Sequence, residues 1–460
     1  MAYKQKIIRT LRCKNKKAIG TLAKLTTTIS ALGGEIGEIH TVSMGELHNV
    51  RDISIVCSDE HQLEHILAAV ELLPEVHIEQ VIDDVLALHQ GGKLQTVPRY
   101  PVHSIDELRK VYTPGVAAVS RLIKDDPSKA QIYTGIGRTV ALITNGTRVL
   151  GLGPIGPVAA MPVMEGKAAL FTQFTGYQMI PILVNTTKVK DFVATVKNIA
   201  CGFSAIQLED IATPACYEIE EILDKDLPIP VMHDDQHGTA VVTLAAAINA
   251  CRLVGVDIKK ACIGQIGLGA AGSSIARLLM AYTGNPVLGV DVRKFSLDRH
   301  KKMGGIVSSL EEIMKKSELV IATTGQEGMI KPDMVRKGQV ILALSNPMPE
   351  ITIEAALKAG AAFASDGSRV NNLLGYPGIL KGAMDSHARQ MTREMYVAAA
   401  EVIANKAPEK ELIPDPLDMS VHDSVAKAVA REAIACGVAG ILLDRDYFKD
   451  TDDVDREIVT

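Results

Sequence analysis

Residues 259–272 read Lys-Lys-Ala-Cys-Ile-Gly-Gln-Ile-Gly-Leu-Gly-Ala-Ala-Gly. An apolar strand through Ile266, a turn spelled Gly267-x-Gly269-x-x-Gly272 and a helix from Ser273 to Ala281 follow without a spacer. A lone pattern of this kind is common, but in this setting the spacing has a physical reason. The first two glycines permit a tight turn and close backbone approach, the third admits helix against strand, and the helix N-terminus faces a pyrophosphate. The next strand, Pro286 to Val290, ends at Asp291, 24 residues after Gly267. That spacing suits a carboxylate on the ribose hydroxyls of a dinucleotide. A carboxylate there repels a 2′-phosphate, which favours NAD over NADP, while Arg293 keeps use of both open. Further apolar strands at 318–322 and 339–344, alternating with helices, predict a doubly wound parallel sheet, an α/β fold.

Working outward, 460 residues exceed one compact core and predict two or three domains. The chain is 47% apolar, without Trp and with 4% aromatic residues, so the core is built of Ala, Val, Ile, Leu and Met. A net charge of −5 and the lack of a long basic stripe argue against nucleic acid as a partner. No apolar segment is long enough to predict a membrane span, and no signal segment follows the basic N-terminus. Seven dispersed cysteines without paired spacing predict reduced, buried thiols and a cytoplasmic protein.

Residues 1–90 have the pattern of a separate unit. Ile7, Ile8 and Leu11 mark a strand, and Ala18, Leu22, Leu25 and Ile29 a helix stopped at Gly33-Gly34. Strands near 36–44 and 50–57, a helix capped by Asp59, and a closing strand from Val76 to Leu88 complete βαββαβ, a ferredoxin-like order. A polar connector, 91–101, leads to a second α/β unit ending near 253. The nucleotide unit spans 254–435, and a charged tail, 436–460, is expected to be exposed from Asp444 on.

Two acidic pairs stand at the ends of apolar segments. Ala205-Ile206-Gln207-Leu208 runs into Glu209-Asp210, and Leu227 to Met232 runs into His233-Asp234-Asp235-Gln236-His237-Gly238, followed by a helix through Val241–Leu253. Adjacent carboxylates in such places repel unless they share a cation or a proton, and a hard divalent ion takes carboxylate oxygens. Glu209, Asp210 and one of the 234/235 pair would supply three; a solvated acidic loop is the plain alternative. Lys167 sits in an apolar stretch read as a helix start, where it either reaches out to water or handles protons. Tyr112, in Tyr-Thr-Pro-Gly-Val-Ala, stands at a turn ahead of a helix, as a packed tyrosine or an acid. Arg148 suits a carboxylate clamp. Asn346, in Ser-Asn-Pro after a strand, and Asn372, in Asn371-Asn372, either shape turns or present amides to a ligand.

Taken in order, these motifs resemble the malic enzyme family over residues 104–435, most of all its compact bacterial form. The resemblance implies that Tyr112 is the general acid and Lys167 the general base, with Asp234 in the proton network. It implies Glu209, Asp210 and Asp235 as ligands of Mg²⁺ or Mn²⁺, with His233 and His237 outside the metal set. Arg148, Asn346 and Asn372 would bind malate carboxylates or the neighbouring nicotinamide, and Gly267, Gly269, Gly272 and Asp291 the NAD. Tyr376 stands where the family usually has Phe before Pro-Gly. Residues 1–90, absent from most compact members, resemble an ACT regulatory domain, a fold that binds metabolite effectors at paired interfaces.

The expected activity is oxidative decarboxylation of (S)-malate to pyruvate and CO2 with reduction of NAD, together with decarboxylation of oxaloacetate. Malolactic chemistry on the same fold is the near alternative, and a non-catalytic regulatory relative the distant one. The resemblance also implies a homodimer or homotetramer with active sites near subunit boundaries.

Overall fold

The computed structural model describes residues 6–149, 151–370 and 372–449. The chain forms two compact units, Met1–Gln95 and Thr96–Thr460.

In the first unit four antiparallel strands, β1 (Ile7–Lys16), β2 (Glu35–Met44), β3 (His48–Cys57) and β4 (Val76–Asp83), lie in the order β2-β3-β1-β4. Alternation along β1 and β3 sends Leu11, Cys13, Ile53, Ile55 and Cys57 inward against Leu25 and Ile29 of helix Thr21–Ala31 and Ile66 and Val70 of helix Glu60–Glu71. Asp59 caps the second helix, accepting from Gln62 N. The closing strand is shorter than Val76–Leu88. Asp83 ends it by accepting from Leu86 N, which starts the helix Asp84–His89.

The second unit contains two parallel sheets. The smaller has the order β6-β5-β7-β8, with β5 (Thr139–Thr144), β6 (Gln178–Leu183), β7 (Ala205–Leu208) and β8 (Val231–His233). All six residues of β5 are buried, as a parallel strand covered on both faces requires. The larger sheet has β9 (Ile263–Ile266), β10 (Leu288–Val290), β11 (Ile306–Val307), β12 (Leu319–Ala322), β13 (Val340–Ala343) and β14 (Phe363–Asp366) in the order β11-β10-β9-β12-β13-β14. This is the doubly wound order of a dinucleotide fold, with its switch point between β9 and β12.

Two helices differ from expectation in ways that matter for the site. The helix carrying Lys167 runs from Pro157 to Thr175, so Lys167 is in its middle rather than at its start. Pro162 lies inside it, and buried Ala160, Met164, Ala168 and Phe171 hold it together through that proline. The helix expected over 241–253 begins at Asp234 and has more buried residues than any other helix among the described residues. Its two first-turn aspartates complement the positive end of the helix dipole.

All seven cysteines are free; Cys13, Cys57, Cys216 and Cys251 are buried as expected, whereas Cys201 and Cys436 are exposed. The tail is not wholly exposed either. Tyr447 and Phe448 are half-buried, and Tyr447 donates to Asp385 Oδ2 at 2.6 Å; residues 450–460 lie outside the described residues. Among the described residues no helix is long and apolar enough to cross a membrane.

Candidate active site

The adjacent strands β7 and β8 pair Leu208 with His233, so their carboxyl ends deliver Glu209-Asp210 and Asp234-Asp235 to one place. Ligand oxygens of Glu209, Asp210 and Asp235 lie within 4.8 Å of one another. Asp210 has φ 55°, a left-handed conformation that Asp tolerates better than most residues. Its N–H donates to Asp235 Oδ2 at 3.0 Å, and its carbonyl accepts from Arg148 N at 3.0 Å. Gln207 Nε2 orients Glu209 through Oε2 at 3.0 Å.

Lys167 meets this cluster from the neighbouring helix. Its ammonium lies 2.7 Å from Glu209 Oε1 and donates to Asp234 Oδ2, with 10% of its side chain exposed. Asn372 Nδ2 donates to the same Asp234 oxygen at 3.0 Å. The ring of Tyr376 lies 4.8 Å from the ammonium, and its hydroxyl donates to the carbonyl of Lys167 at 3.0 Å. A Cβ on Gly238 would come within 1.9 Å of Asp234 Oδ1, so glycine there is what lets the carboxylate sit over its own helix.

Burial is the largest single influence on Glu209, Asp210, Asp234 and Lys167. It pushes Asp210 up to about 7, with Asp235 adding to the rise. Glu209 and Asp234 are raised by burial against the opposing pull of Lys167. Burial alone would lower Lys167, but Asp234 and Glu209 outweigh it and raise it well above the ordinary lysine value. One ammonium faces four carboxylates, and Asp210 Oδ2 and Asp234 Oδ1 are buried without a partner among the described residues. That surplus of buried anionic oxygen fits a hard divalent cation on Glu209, Asp210 and Asp235.

The nucleotide side is built from β9 and β10. Gly267 has φ 85°, and a Cβ on Gly272 would lie 2.0 Å from the Gly267 carbonyl, so helix Ala270–Thr283 can start there only on glycine. Gly269 precedes that helix as its N-cap. Asp291 follows β10 and accepts from Leu268 N at 2.8 Å. Arg293 donates to Asp291 through Nε at 3.1 Å and Nη2 at 3.2 Å, and through Nη1 to Thr213 Oγ1 at 3.2 Å. Despite partial burial, these bonds hold the Asp291 carboxyl below its ordinary range. The backbone cradle and its flanking carboxylate fit a dinucleotide.

Other expected residues are placed less tightly. Arg148 is exposed and joins the cluster through its backbone alone among the recorded contacts. Asn346 is exposed just beyond the end of β13. Tyr112 ends helix Ile105–Val111 and is 67% exposed, with no side-chain contact to Lys167 among the described residues. Asn371 lies outside the described residues.

Two residues, Glu220 and Glu350, were not anticipated, and a third, Tyr376, only in part. Glu220 accepts from His233 N at 2.7 Å, Gln236 Nε2 at 2.8 Å and His237 Nε2 at 3.0 Å, fixing the acidic corner from behind. Its place among the inward positions Cys216, Ile219 and Leu223 of helix Ala215–Asp226 was the available signal. Glu350 is fully buried and accepts from Thr324 N at 2.6 Å and Ser345 Oγ at 2.5 Å, tying together the loops after β12 and β13. Tyr376 was noted for its type but not for its contact with Lys167.

A nucleotide fold, a lysine inside a carboxylate cluster and a three-carboxylate cation site define a metal-assisted dinucleotide dehydrogenase. Comparison with known proteins narrows this class. The family description "Malic enzyme, N-terminal domain" matches residues 91–224. The chain is 53% identical over 430 residues to the NAD-dependent malic enzyme 1 of Bacillus subtilis, covering 93% of this chain and 98% of that one. It is 38% identical to the NAD-dependent malic enzyme of Geobacillus stearothermophilus, covering 94% and 95%. The crystal structure of malic enzyme from Pyrococcus horikoshii superposes with a TM-score of 0.71 at 37% identity, covering 80% of this chain and 94% of that one. The chain belongs to the malic enzyme family, and it is of the bacterial, NAD-dependent type.

Proposed function

We infer that this protein catalyses the oxidative decarboxylation of (S)-malate to pyruvate and CO2 with NAD as hydride acceptor and a divalent metal, and that it also decarboxylates oxaloacetate. The observation that carries this reading is Lys167 buried between Asp234 and Glu209 beside the three-carboxylate cluster.

Lys167 is the group that takes the C2 hydroxyl proton as hydride leaves C2. For that it must give up its own proton first. A cation held by Glu209, Asp210 and Asp235 would leave Asp234 as the close anionic partner of Lys167 and would lower its affinity for a proton. Asp234, held by Asn372, keeps the amine aimed and carries protons away from it. Glu209, Asp210 and Asp235 would hold Mg²⁺ or Mn²⁺, which would supply Lewis-acid charge stabilisation for the developing negative charge on substrate oxygen. Tyr112 is assigned to protonate C3. Arg148, Asn346 and Asn372 hold substrate carboxylates or border the nicotinamide, and Gly267, Gly269, Gly272 and Asp291 hold NAD.

The exposure of Tyr112 supports a shared active site. Helices Ile105–Val111 and Val116–Asp125 bury no residue, and Leu108, Val111, Tyr112, Val116 and Leu122 are all exposed. A homodimer or homotetramer would cover that surface and bring Tyr112 to a partner's Lys167.

The domains are assigned as 1–90, 91–253, 254–435 and a tail at 436–460. The first is read as an ACT-like module that binds a metabolite effector; its βαββαβ order and its sheet order support this. Free cysteines throughout support a reducing, cytoplasmic setting.

A steady-state assay with malate, Mn²⁺ and NAD⁺ or NADP⁺ that measures NAD(P)H, pyruvate and lactate tests the function. Pyruvate and NADH in equal amounts are expected. Lactate without net NADH would establish malolactic chemistry instead.

A further inference from the structure

A cavity of about 200 Å³ lies among helices Ala215–Asp226, Asp234–Leu253, Ala270–Thr283 and Arg393–Lys406. Neither Lys167 nor any of the four acidic cluster residues lines it. Its chemistry comes from Glu220, Asp224, His237, Arg277, Arg393 and Tyr396.

Three of these groups, Glu220, His237 and Tyr396, already have partners. Glu220 holds His237 at 3.0 Å and the backbone of His233 at 2.7 Å. The His237 ring stacks on Tyr396 with centroids 4.6 Å apart and planes 2° apart, making a flat wall. Glu221, also at the edge, is occupied by Arg299 at 3.0 Å.

The remaining charges lack close ion-pair partners: Glu220 and Asp224 attract Arg277 only from a greater distance. Arg277 is half-buried, Arg393 lies close enough to repel it, and among the described residues neither guanidinium has a carboxylate at ion-pair distance. Burial and the charge of Arg393 together push Arg277 below its ordinary pKa. Asp224 Oδ1 is buried without a hydrogen-bond partner among the described residues. A half-buried cation and a buried carboxylate oxygen without close partners are costly, and the exposed Arg393 adds a second cation at the same wall.

We propose that this cavity is a binding site for a small amino or hydroxy acid, its carboxylate between Arg277 and Arg393 and its ammonium or hydroxyl group donating to Asp224 Oδ1. Paired guanidiniums suit a carboxylate by geometry as well as charge. The cavity is smaller than the roughly 300–1,000 Å³ of pockets for drug-sized ligands, which limits the occupant to an acid of a few carbons. Through Glu220, which also fixes His233 N, the site lies one side chain from the corner that carries Asp234 and Asp235.

Ligand-observed NMR and calorimetry on the full-length protein test this with two probes. L-Alanine carries both required groups, and propionate carries the carboxylate alone. Alanine is expected to bind more tightly than propionate, and Arg277→Gln and Arg393→Gln each to weaken it by about tenfold or more, as loss of a charge partner does. Asp224→Asn should weaken alanine and leave propionate unchanged. Malate turnover without the probe should stay near wild type in all three. If Arg277→Gln fails to fold, the exposed Arg393 carries the test. Alanine binding unchanged in the arginine variants would assign it to another site and overturn the proposal; so would no binding of either probe to wild type.

Discussion

The ammonium of Lys167 donates to the buried carboxylate of Asp234, 67 residues further along the chain, while lying 2.7 Å from Glu209 Oε1. A lysine so placed is positioned by one carboxylate and electrostatically tuned by the other. Replacing Lys167 with Ala removes the proposed base. Turnover should fall by about 10²–10⁴ while the circular dichroism spectrum stays unchanged. Turnover within about threefold of wild type would remove Lys167 from the mechanism.

Asp235→Ala should abolish metal-dependent decarboxylation and spare nucleotide binding, because the turn Gly267–Gly272 follows β9 of a different sheet. Mn²⁺ titration and NADH fluorescence, run side by side on variant and wild type, read the two effects separately. Unchanged Mn²⁺ affinity would exclude Asp235 as a ligand.

Cofactor choice follows from Asp291 and its clamp. Arg293 spends its charge on Asp291 and Thr213, so a 2′-phosphate would meet the carboxylate without a free cation in front of it. NAD⁺ should exceed NADP⁺ in kcat/KM by at least about tenfold, equivalent to about 1.4 kcal/mol. Equal efficiency would mean that Arg293 leaves Asp291 when NADP binds.

Subunit sharing has a sharp test. Tyr112→Phe and Lys167→Ala are each expected to be nearly inactive alone, yet mixing them under exchange conditions should restore activity in the heterodimer. Light scattering should give at least a dimer at assay concentration. A fully active monomer would contradict the arrangement.

Removing the first unit should separate chemistry from regulation. A chain beginning near Pro98 is expected to keep malate turnover and lose its response to whichever metabolite modulates the full-length enzyme, a coupling of about 1–3 kcal/mol. If a broad screen of amino acids and central metabolites leaves the full-length kinetics and stability untouched, the unit serves only as added structure.

Much of this is legible in the sequence itself. Gly267, Gly272 and Asp291 announced the nucleotide sheet because steric demands at a phosphate-facing turn leave a local mark. Glu209-Asp210 and Asp234-Asp235 stood out because charges at the ends of apolar strands are conspicuous. Helix limits were harder to read. The stretch around Lys167 reads as a helix start, because the packing of Met164 and Phe171 that carries the helix through Pro162 leaves no local mark. Glu220 and Glu350 were silent for a similar reason: a carboxylate whose partners are backbone amides brought together by folding looks like any other acidic residue in the chain.

The left-handed backbone of Asp210 has a consequence for how this position can drift over time. Three residue types hold φ near 55° at little cost: glycine, asparagine and aspartate. Of these, only aspartate brings a negative oxygen to the cluster. Position 210 therefore passes through two independent filters, one conformational and one chemical, and a single type survives both. Lineages that lose the activity should show it there early, by a step to asparagine or glycine that leaves the fold intact and removes the charge.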